Sequence, residues 1–143
     1  MSGISLVTTE HEGRPYGLIA TSVTSLAAEP PSLLVSINGT ASCHDPLRES
    51  GVFCVNLLST SQSDLARKFS SSSRRAERFI DDNWMRGETG VPVFAGSLAS
   101  FECVVTDMLQ KYTHTIFIGT VQRCIVHPDP QTRPLAYFDG AYA

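Results

Sequence analysis

Short runs of apolar and β-branched residues, separated by glycine, proline, asparagine and serine, make up most of the hydrophobic pattern of this chain. Runs of this length and composition are typical of β-strands. The two longest runs are neighbours in the sequence, and together they predict a long, strongly coiled hairpin. The pattern predicts seven strands, over residues 4–10, 16–23, 32–38, 52–58, 97–109, 113–127 and 134–138.

Two short helices are predicted from the residues at their ends. In "DPLRESG", Asp45 is the expected N-cap, Pro46 is the first helical residue and Gly51 follows the last turn. In "SQSDLARKF", Ser61 precedes Asp64 by three residues, which is the spacing of a capping box. The sequence therefore adds two or three short helices to a mainly β chain.

The order of these elements favours one antiparallel domain over residues 1–143. Strands and helices do not alternate regularly, which excludes a doubly wound parallel sheet. We expect a closed or nearly closed barrel, because closure removes exposed strand edges. Strands 52–58 and 116–126 are apolar on both faces, so we expect a second copy of the chain to cover the barrel as a homodimer. The polar segment 70–90 predicts a surface excursion or lid anchored by Trp84.

Composition narrows the class of protein. The 143 residues carry a net charge of −3 and 42% hydrophobic residues, with no broad basic field, so nucleic acid is not an expected partner. No apolar run approaches the roughly 18 residues of a membrane span, and no signal-peptide pattern is present. Cys43, Cys54, Cys103 and Cys124 form no CxxC pair. We therefore expect a reduced, cytoplasmic protein.

The common cofactor and catalytic motifs are missing from the sequence. It contains no GxGxxG or GxxxxGK[ST] phosphate loop and no GxSxG nucleophile elbow. The four histidines lack metal-ligand spacing, so no metal site is expected. In "TASCHDPL", Ser42 shortly precedes a helix N-terminus, where free amides and the helix dipole favour an anion. Asp45 would satisfy the same amides, so this stretch alone leaves the question open.

Hydroxyl-bearing residues are concentrated in "GLIATSVTSLAAEPPSLLVSING". Thr21, Ser22, Thr24 and Ser25 surround Val23, and burying these hydroxyls without partners would cost stability. They belong either to a strand end exposed to water or to a site that hydrogen-bonds a ligand.

The order of several motifs resolves this ambiguity. "YGLIATSVTSLAAEPPSLLVSIN", "SGVFCVNLLSTSQSDLARKF", "RFIDDNW" with "GVPVFAGSLASFECVV", "HTIFIG" and "PLAYFDGAY" follow one another along nearly the whole chain. In this order the sequence resembles the short-chain flavin reductases, the reductase components of two-component flavin monooxygenases such as the 4-hydroxyphenylacetate 3-monooxygenase type. The resemblance implies a Greek-key, FMN-binding split barrel, usually a homodimer. It also implies hydride transfer from NADH or NADPH to FMN or FAD, with reduced flavin passed to a separate monooxygenase.

The resemblance also implies which residues form the site. Ser42 would reach the flavin phosphate, Arg78 and Phe79 would close over the site, and His114 would lie near the nicotinamide as the catalytic residue. A surface basic cluster is the alternative for Arg78, and a buried structural histidine is the alternative for His114. Tyr137 would lie near the dimer interface or the cofactor, or in the core. The implied cofactor-binding residues are Thr21, Ser22, Val23, Thr24, Ser25, Ser36, Ile37, Asn38, Ser42, Arg78, Phe79 and Tyr137.

Two departures from the family pattern bear on these expectations. Family members generally carry a leading helical segment, whereas "GISLVTT" begins almost at once, so we expect one barrel end or part of the dimer contact to be covered differently. Thr113 replaces the more usual acidic residue before the histidine, which leaves the orientation of His114 open. A flavin-binding module without turnover, such as a carrier, sensor or electron-transfer protein, is the alternative function. An oxidase of the pyridoxamine-phosphate type fits the motif order less well.

Overall fold

Antiparallel strands make up most of the chain in the computed structural model, which describes residues 2–80, 83–126, 133–138 and 141–142. No helix within these ranges is long and apolar enough to span a membrane. In chain order the elements are β1 (Ser2–Gly3), β2 (Ser5–His11), β3 (Arg14–Ala20), β4 (Thr24–Ala28), β5 (Pro31–Asn38), α1 (His44–Ser50), β6 (Val52–Leu57), the 3₁₀ helix η1 (Thr60–Gln62), α2 (Ser63–Ser70), the 3₁₀ helix η2 (Ser72–Glu77), β7 (Trp84–Arg86), β8 (Pro92–Phe94), β9 (Ala99–Lys111), β10 (His114–Val126), β11 (Ala136–Phe138) and β12 (Ala141–Tyr142).

The main sheet contains seven of the described strands in the order β3-β2-β6-β9-β10-β5-β4, and every neighbouring pair is antiparallel. Its two edge strands, β3 and β4, are consecutive in the chain and are joined by residues 21–23. The Ser22 hydroxyl lies across this junction, donating to the Ser36 carbonyl (3.0 Å) and accepting from the Ser36 amide (3.3 Å). The sheet therefore curls until the end of β3 meets β5. This confirms the mainly β, antiparallel split barrel.

Both faces of the central strands are buried by the chain itself. In β2, Val7 packs into the barrel core, whereas its neighbour Leu6 packs on the opposite face with Phe69 of α2. In β6, Phe53 faces the barrel core and Cys54 packs against β8. The apolar outer face of β6 is thus covered by the chain's own β8, and a second copy is not needed at that strand.

The chain departs from the predicted strands after β3. Strand 16–23 was expected to be continuous, but β3 ends at Ala20 and residues 24–28 form the separate edge strand β4. The reason is the hydrogen bonding of Ser22 to Ser36, which turns the chain out of β3 before it can continue. The long hairpin of β9 and β10 matches its prediction closely, with twelve residues of β10 paired to β9.

The helix ends differ from their predictions at the N-terminus of each helix. Helix α1 has Cys43 as its N-cap rather than Asp45, because the Asp45 carboxylate bonds the His44 ring (2.7 Å) instead of backbone amides. The capping box is formed by Ser59 and Gln62 ahead of α2, not by the predicted Ser61 pair. The C-terminal signal of α1 was correct, since Gly51 adopts a left-handed backbone with φ of 72°.

Segment 70–90 folds back onto the barrel through its tryptophan, as predicted. The Trp84 ring contacts the rings of Phe79, Phe94 and Phe69, with centroids 4.7, 5.1 and 6.1 Å away. Aromatic pairs at these distances stabilise a contact beyond the area they bury. The segment is therefore fixed against α2 and β8.

Candidate functional site

Two cavities follow one another along β3 in the described part of the molecule. The first, the Ser22 cavity, has a volume of about 310 Å³ and is lined by Leu18, Ile19, Ala20, Thr21, Ser22, Ser36, Asn38 and His114. The second, the Arg75 cavity, has a volume of about 270 Å³ and is lined by Pro15, Tyr16, Gly17, Ser42, Arg75, Arg78 and Phe79. Because residues 15–17 line one cavity and residues 18–22 line the other, the two together suit one elongated ligand.

The Ser22 cavity presents polar groups that the protein leaves free. The Ser22 hydroxyl is committed to the Ser36 backbone, and the Asn38 side-chain oxygen accepts from the amide and hydroxyl of Thr40. The hydroxyls of Thr21 and Ser36 and the amide nitrogen of Asn38 have no partner among the described residues. These donors and acceptors converge on one concave surface, as in sites that orient a polar ring edge.

His114 lies at the rim of the same cavity, at the first residue of β10. It pairs with Asn38 across the sheet, and its Nδ1 lies 2.8 Å from the Thr113 hydroxyl. The threonine that replaces the expected acidic residue therefore takes over the contact to the imidazole. The Nε2 atom has no partner within the described residues and is available to a ligand.

The two arginines of the Arg75 cavity differ in what they bind. Arg78 donates to the carbonyls of Lys68 (3.0 Å), Phe69 (3.1 Å) and Ser71 (3.1 Å), and so caps the C-terminus of α2. Burial lowers the pKa of Arg78, and the positive charge of Arg75 lowers it further. Arg75 is exposed, and its side chain has no hydrogen bond or ion pair with any described residue. The cation available to a ligand in this cavity is therefore Arg75.

Phe79 forms a wall of the Arg75 cavity from an unusual backbone conformation. Its φ of 63° lies in the left-handed region, which a bulky residue rarely adopts. The opposing residue is Gly17, where a Cβ would lie 2.8 Å from the Phe69 ring and 3.3 Å from the Phe79 ring. Glycine at this point of β3 is what allows the two rings to approach the strand.

A hydrogen-bonded chain of Asp45, His44 and Thr115 runs from the exposed start of α1 to a buried position on β10. His44 Nε2 lies 2.7 Å from the Thr115 hydroxyl and Nδ1 lies 2.7 Å from an Asp45 carboxylate oxygen. The hydrogen bond from His44 holds the pKa of Asp45 below its usual value, with a smaller contribution from the Arg48 charge. A carboxylate only accepts, so Nδ1 carries a proton. This chain fixes the start of α1, next to Ser42, against β10, next to His114.

The structure brings together eight of the predicted site residues and separates the rest. Val23 packs against the core and lines a different cavity with Thr21. Thr24 and Ser25 lie on the exposed edge strand β4. The Ile37 side chain is fully buried in the core, and Tyr137 belongs to β11, paired with Ser2, with its side chain outside the described part. The predicted residues that line the two cavities are Thr21, Ser22, Ser36, Asn38, His114, Ser42, Arg78 and Phe79, and their roles stay predictions.

Sequence reasoning missed seven lining residues of these cavities: Pro15, Tyr16, Gly17, Leu18, Ile19, Ala20 and Arg75. Tyr16 and Leu18 belong to a predicted strand but flank the isolated Gly17, which signals a close approach to the backbone. Arg75 lies in the "SSRRAERF" cluster, and the sequence of that cluster does not indicate which arginine caps the C-terminus of a helix.

Comparison with known proteins identifies relatives along the whole chain. The sequence model described as "Flavin reductase like domain" matches residues 1–143. FMN reductase (NADH) RutF from Enterobacter sp. (strain 638) is 35% identical over 141 residues, covering 99% of this chain and 85% of its own length. The reductase subunit HsaB of a flavin-dependent monooxygenase from Mycobacterium tuberculosis is 31% identical, covering 99% and 74%. The solved structure of the NADH:FAD oxidoreductase SgcE6 from Streptomyces globisporus C-1027 superimposes with a TM-score of 0.88 at 29% identity, covering 99% of this chain and 79% of that one.

Proposed function

Because the chain belongs to the flavin reductase-like family, we propose that it is a flavin reductase, which transfers a hydride from NADH or NADPH to FMN or FAD. The names of its relatives support this: RutF is an NADH-dependent FMN reductase and SgcE6 an NADH:FAD oxidoreductase. The observation that carries the proposal is the pair of cavities along β3. Within the described part of the chain, one offers hydroxyl and amide groups without partners, and the other offers an arginine whose side chain is unpaired.

The residues of the two cavities fit the two ends of a flavin. When bound, the flavin supplies the ring that accepts the hydride. We assign its polar ring edge to Thr21, Ser36 and Asn38, whose free groups match ring carbonyls and nitrogens. We assign its phosphate to Ser42 and Arg75, because an arginine without a carboxylate partner gives charge-assisted hydrogen bonds to a phosphate. Arg78 then acts through the helix end that it caps.

His114 is the proposed contact to the reduced nicotinamide. It lies at the rim of the Ser22 cavity with Nε2 free, where a second ring could approach the first from the solvent side. A single ring nitrogen suffices to orient a carboxamide. Hydride transfer itself needs orientation more than acid–base chemistry, so His114 is assigned to binding and orientation.

The remaining predicted residues stay predictions with narrower roles. Val23, Thr24 and Ser25 follow the turn at Ser22, so their backbone amides are the groups to test. Ile37 is buried, and it too could meet a ligand only through its backbone. Tyr137 remains assigned to the dimer interface or the cofactor.

We also propose a homodimer, supported by the outer part of the β9–β10 hairpin. β6 pairs with β9 only as far as Val104, and the Val105 amide donates to the Gly51 carbonyl, so residues 106–111 leave one edge of β9 unpaired among the described strands. Met108 and Leu109 on this arm are 45% and 58% exposed. An apolar, unpaired strand edge is usually covered by another chain.

A partner monooxygenase and a cytoplasmic location complete the proposal. HsaB is named as the reductase subunit of a flavin-dependent monooxygenase, which supports delivery of reduced flavin to a separate enzyme. All four cysteines are free, as expected in a reducing compartment.

The test is a redox assay with the purified protein. NADH or NADPH is mixed with FMN or FAD in excess, and the loss of nicotinamide absorbance is followed against a control without flavin. A reductase oxidises the nicotinamide rapidly and only when flavin is present. Stable binding of yellow flavin without nicotinamide oxidation would identify a flavin-binding module instead.

A further inference from the structure

A third cavity, the Trp84 cavity, continues the row formed by the other two. It has a volume of about 230 Å³ and is lined by Glu10, Pro15, Phe79, Trp84, Met85, Arg86, Gly90 and Pro92. It shares Pro15 and Phe79 with the Arg75 cavity, so the two cavities are neighbours. A ligand that passes Phe79 would therefore reach the Trp84 cavity directly from the arginine.

The walls of the Trp84 cavity suit a flat aromatic group. Trp84 and Phe79 supply two rings whose centroids lie 4.7 Å apart. Met85, 41% exposed, adds a flexible apolar side chain that adapts to the face of a ring. Pro15 and Pro92 complete the apolar part of the surface.

Polar groups are present where a base would need them. The Trp84 Nε1 atom is buried and has no hydrogen-bond partner among the described residues, and leaving an indole N–H unpaired is unfavourable. The Glu10 carboxylate lies 3.1 Å from the Arg86 guanidinium and is 23% exposed. The cavity thus combines an N–H donor that lacks an acceptor with a carboxylate that accepts from a ligand.

We propose that the Trp84 cavity binds an adenine ring, the base that FAD and NADH share. This inference rests on the proposed function. The exocyclic amine of adenine would donate to Glu10, and a ring nitrogen would accept from Trp84 Nε1. Its π-face suits stacking on an aromatic side chain. For FAD, the pyrophosphate that joins adenosine to the riboflavin would lie in the Arg75 cavity.

The chain carries a direct reporter of this site, because Trp84 is its only tryptophan. AMP titrated into the protein without flavin is expected to quench tryptophan fluorescence in a saturable way. Ribose 5-phosphate, which lacks the base, is the control and is expected to leave the emission unchanged. Equal responses to the two compounds would contradict adenine binding.

Two further measurements distinguish whether FAD or NADH places its adenine in the Trp84 cavity. If it is FAD, the dissociation constant of FAD is about tenfold lower than that of FMN, the effect of one base stacked on an aromatic side chain. If it is the nicotinamide, the KM for NADH with FMN as acceptor is about tenfold lower than the KM for reduced nicotinamide mononucleotide. Calorimetry measures the first arm and steady-state kinetics the second.

Variants connect the adenine effect to the named groups. Trp84→Phe removes the N–H donor but keeps an aromatic ring in the cluster, and Glu10→Gln removes the charge. Each is expected to reduce the preference for the adenine-bearing ligand at least threefold, with FMN binding unchanged. Glu12→Gln, at a carboxylate that is 83% exposed outside the cavity, is the matched control. Thermal melting of each variant checks that it is folded.

The outcomes separate this inference from the proposed function. Three results together would overturn the adenine site even in an active reductase. They are equal dissociation constants for FAD and FMN, equal KM values for NADH and reduced nicotinamide mononucleotide, and no quenching of Trp84 fluorescence by AMP. Failure to bind FMN or to oxidise NADH would overturn the proposed function, while the AMP titration still reads the Trp84 cavity on its own.

Discussion

Arg75 and Arg78 have different roles because their guanidinium groups contact different partners. Arg78 binds three carbonyls at the end of α2, whereas Arg75, one turn earlier, faces the same cavity without a partner. A guanidinium that is already bound to backbone has less capacity for a ligand phosphate. The two positions therefore offer a matched pair of substitutions.

Arg75→Ala is expected to weaken FMN binding by about 1.5–3 kcal/mol, the range for a hydrogen bond to a charged group, or roughly tenfold to hundredfold. Riboflavin, which lacks the phosphate, should bind both proteins equally. Arg78→Ala should instead lower the free energy of unfolding by about 1–3 kcal/mol, because buried carbonyls lose their donor. Fluorescence titration and urea denaturation measure the two effects. An Arg75→Ala protein that binds FMN normally would remove Arg75 from the site.

His114→Ala is expected to raise the KM for the reduced nicotinamide several-fold while changing flavin affinity little, because Nε2 faces the cavity rim and is free. Thr113→Val is the companion variant, since it removes the hydroxyl beside Nδ1 but leaves the ring in place. Steady-state kinetics at saturating flavin measure both variants. An unchanged KM with intact turnover would take His114 out of the mechanism.

At the scale of single residues, the sequence predicted which polar residues line the cavities better than it predicted what each of them contacts. Ser22, Ser36, Asn38 and His114 were found through the order of motifs and do line one cavity. The choice between Arg75 and the next arginine was missed, because it depends on where α2 ends in space. Local sequence contains no information on that position.

The elements that carry the site are held together by the hydrogen-bonded chain of Asp45, His44 and Thr115. The His44 and Thr115 side chains come from positions 71 residues apart, so their hydrogen bond fixes α1 against β10. Because the His44 ring is buried against Phe117, an unpaired nitrogen there would be costly.

Thr115→Val is expected to lower the free energy of unfolding by about 1–3 kcal/mol, because the His44 nitrogen loses its partner while the volume is kept. It should also weaken FMN binding, because Ser42 directly precedes the N-cap of α1 and would shift with the start of that helix. Thr115→Ser keeps the hydroxyl and should restore FMN affinity. Urea denaturation and FMN titration of both variants provide the measurement; equal FMN affinity in all three proteins would contradict the positioning role.

The 3₁₀ helix η2, which carries Arg75, is held to α2 by a second arginine. Arg74 lies 3.1 Å from an Asp64 oxygen and 2.9 Å from a Glu77 oxygen. These hydrogen bonds hold the pKa of both carboxyls below their usual values. A lowered pKa in the folded state stabilises it above the ordinary values of 3.8 and 4.5, and this contribution disappears as the pH falls through the lowered values.

Acidification from pH 7 to about 3 should therefore lower the hydrogen-exchange protection factors of residues 72–79, corrected for the intrinsic exchange rate at each pH, before the barrel unfolds. Arg74→Ala should produce the same local loss of protection at neutral pH. Arg48→Ala, which removes an equal charge from α1, is the control and should leave this segment protected. Exchange followed by mass spectrometry makes the comparison. Uniform exchange along the chain at both pH values would argue against a local attachment.

Element prediction succeeded where a residue pattern is itself the cause of the structure. The β9–β10 hairpin and the Gly51 helix end follow from strand alternation and from the left-handed backbone of glycine. The break between β3 and β4 was missed, because the Ser22 hydroxyl that causes it bonds a residue fourteen positions away. The Asp45 cap was wrong for a similar reason: a neighbouring ring competed for its carboxylate.

At the scale of the whole molecule, the barrel is complete but one arm is not covered. Residues 106–111 of β9 extend beyond β6 with apolar side chains exposed. The order of motifs along the chain was enough to predict the split barrel, because a shared order over nearly the whole length implies a shared topology. The predicted strands alone would have been compatible with several barrel topologies.

Leu109→Asp is expected to convert the proposed dimer to a monomer, because a charge on the arm would have to be desolvated at the interface. Gln110→Asp, which adds the same charge beside it on a polar residue, is the control for a change of charge alone. Light scattering after gel filtration gives the mass of each protein. A wild-type chain that is monomeric at micromolar concentration would rule out the dimer.

The Ser22 hydroxyl, which joins the end of β3 to Ser36 of β5, affects where the barrel opens. A flavin lying in the Ser22 cavity would bridge the same seam, touching β3 on one side and β5 with β10 on the other. Bound flavin would then hold the two sides of this seam together. The flavin-bound barrel should therefore resist separation of β3 from β5, which is where the flavin-free barrel opens first.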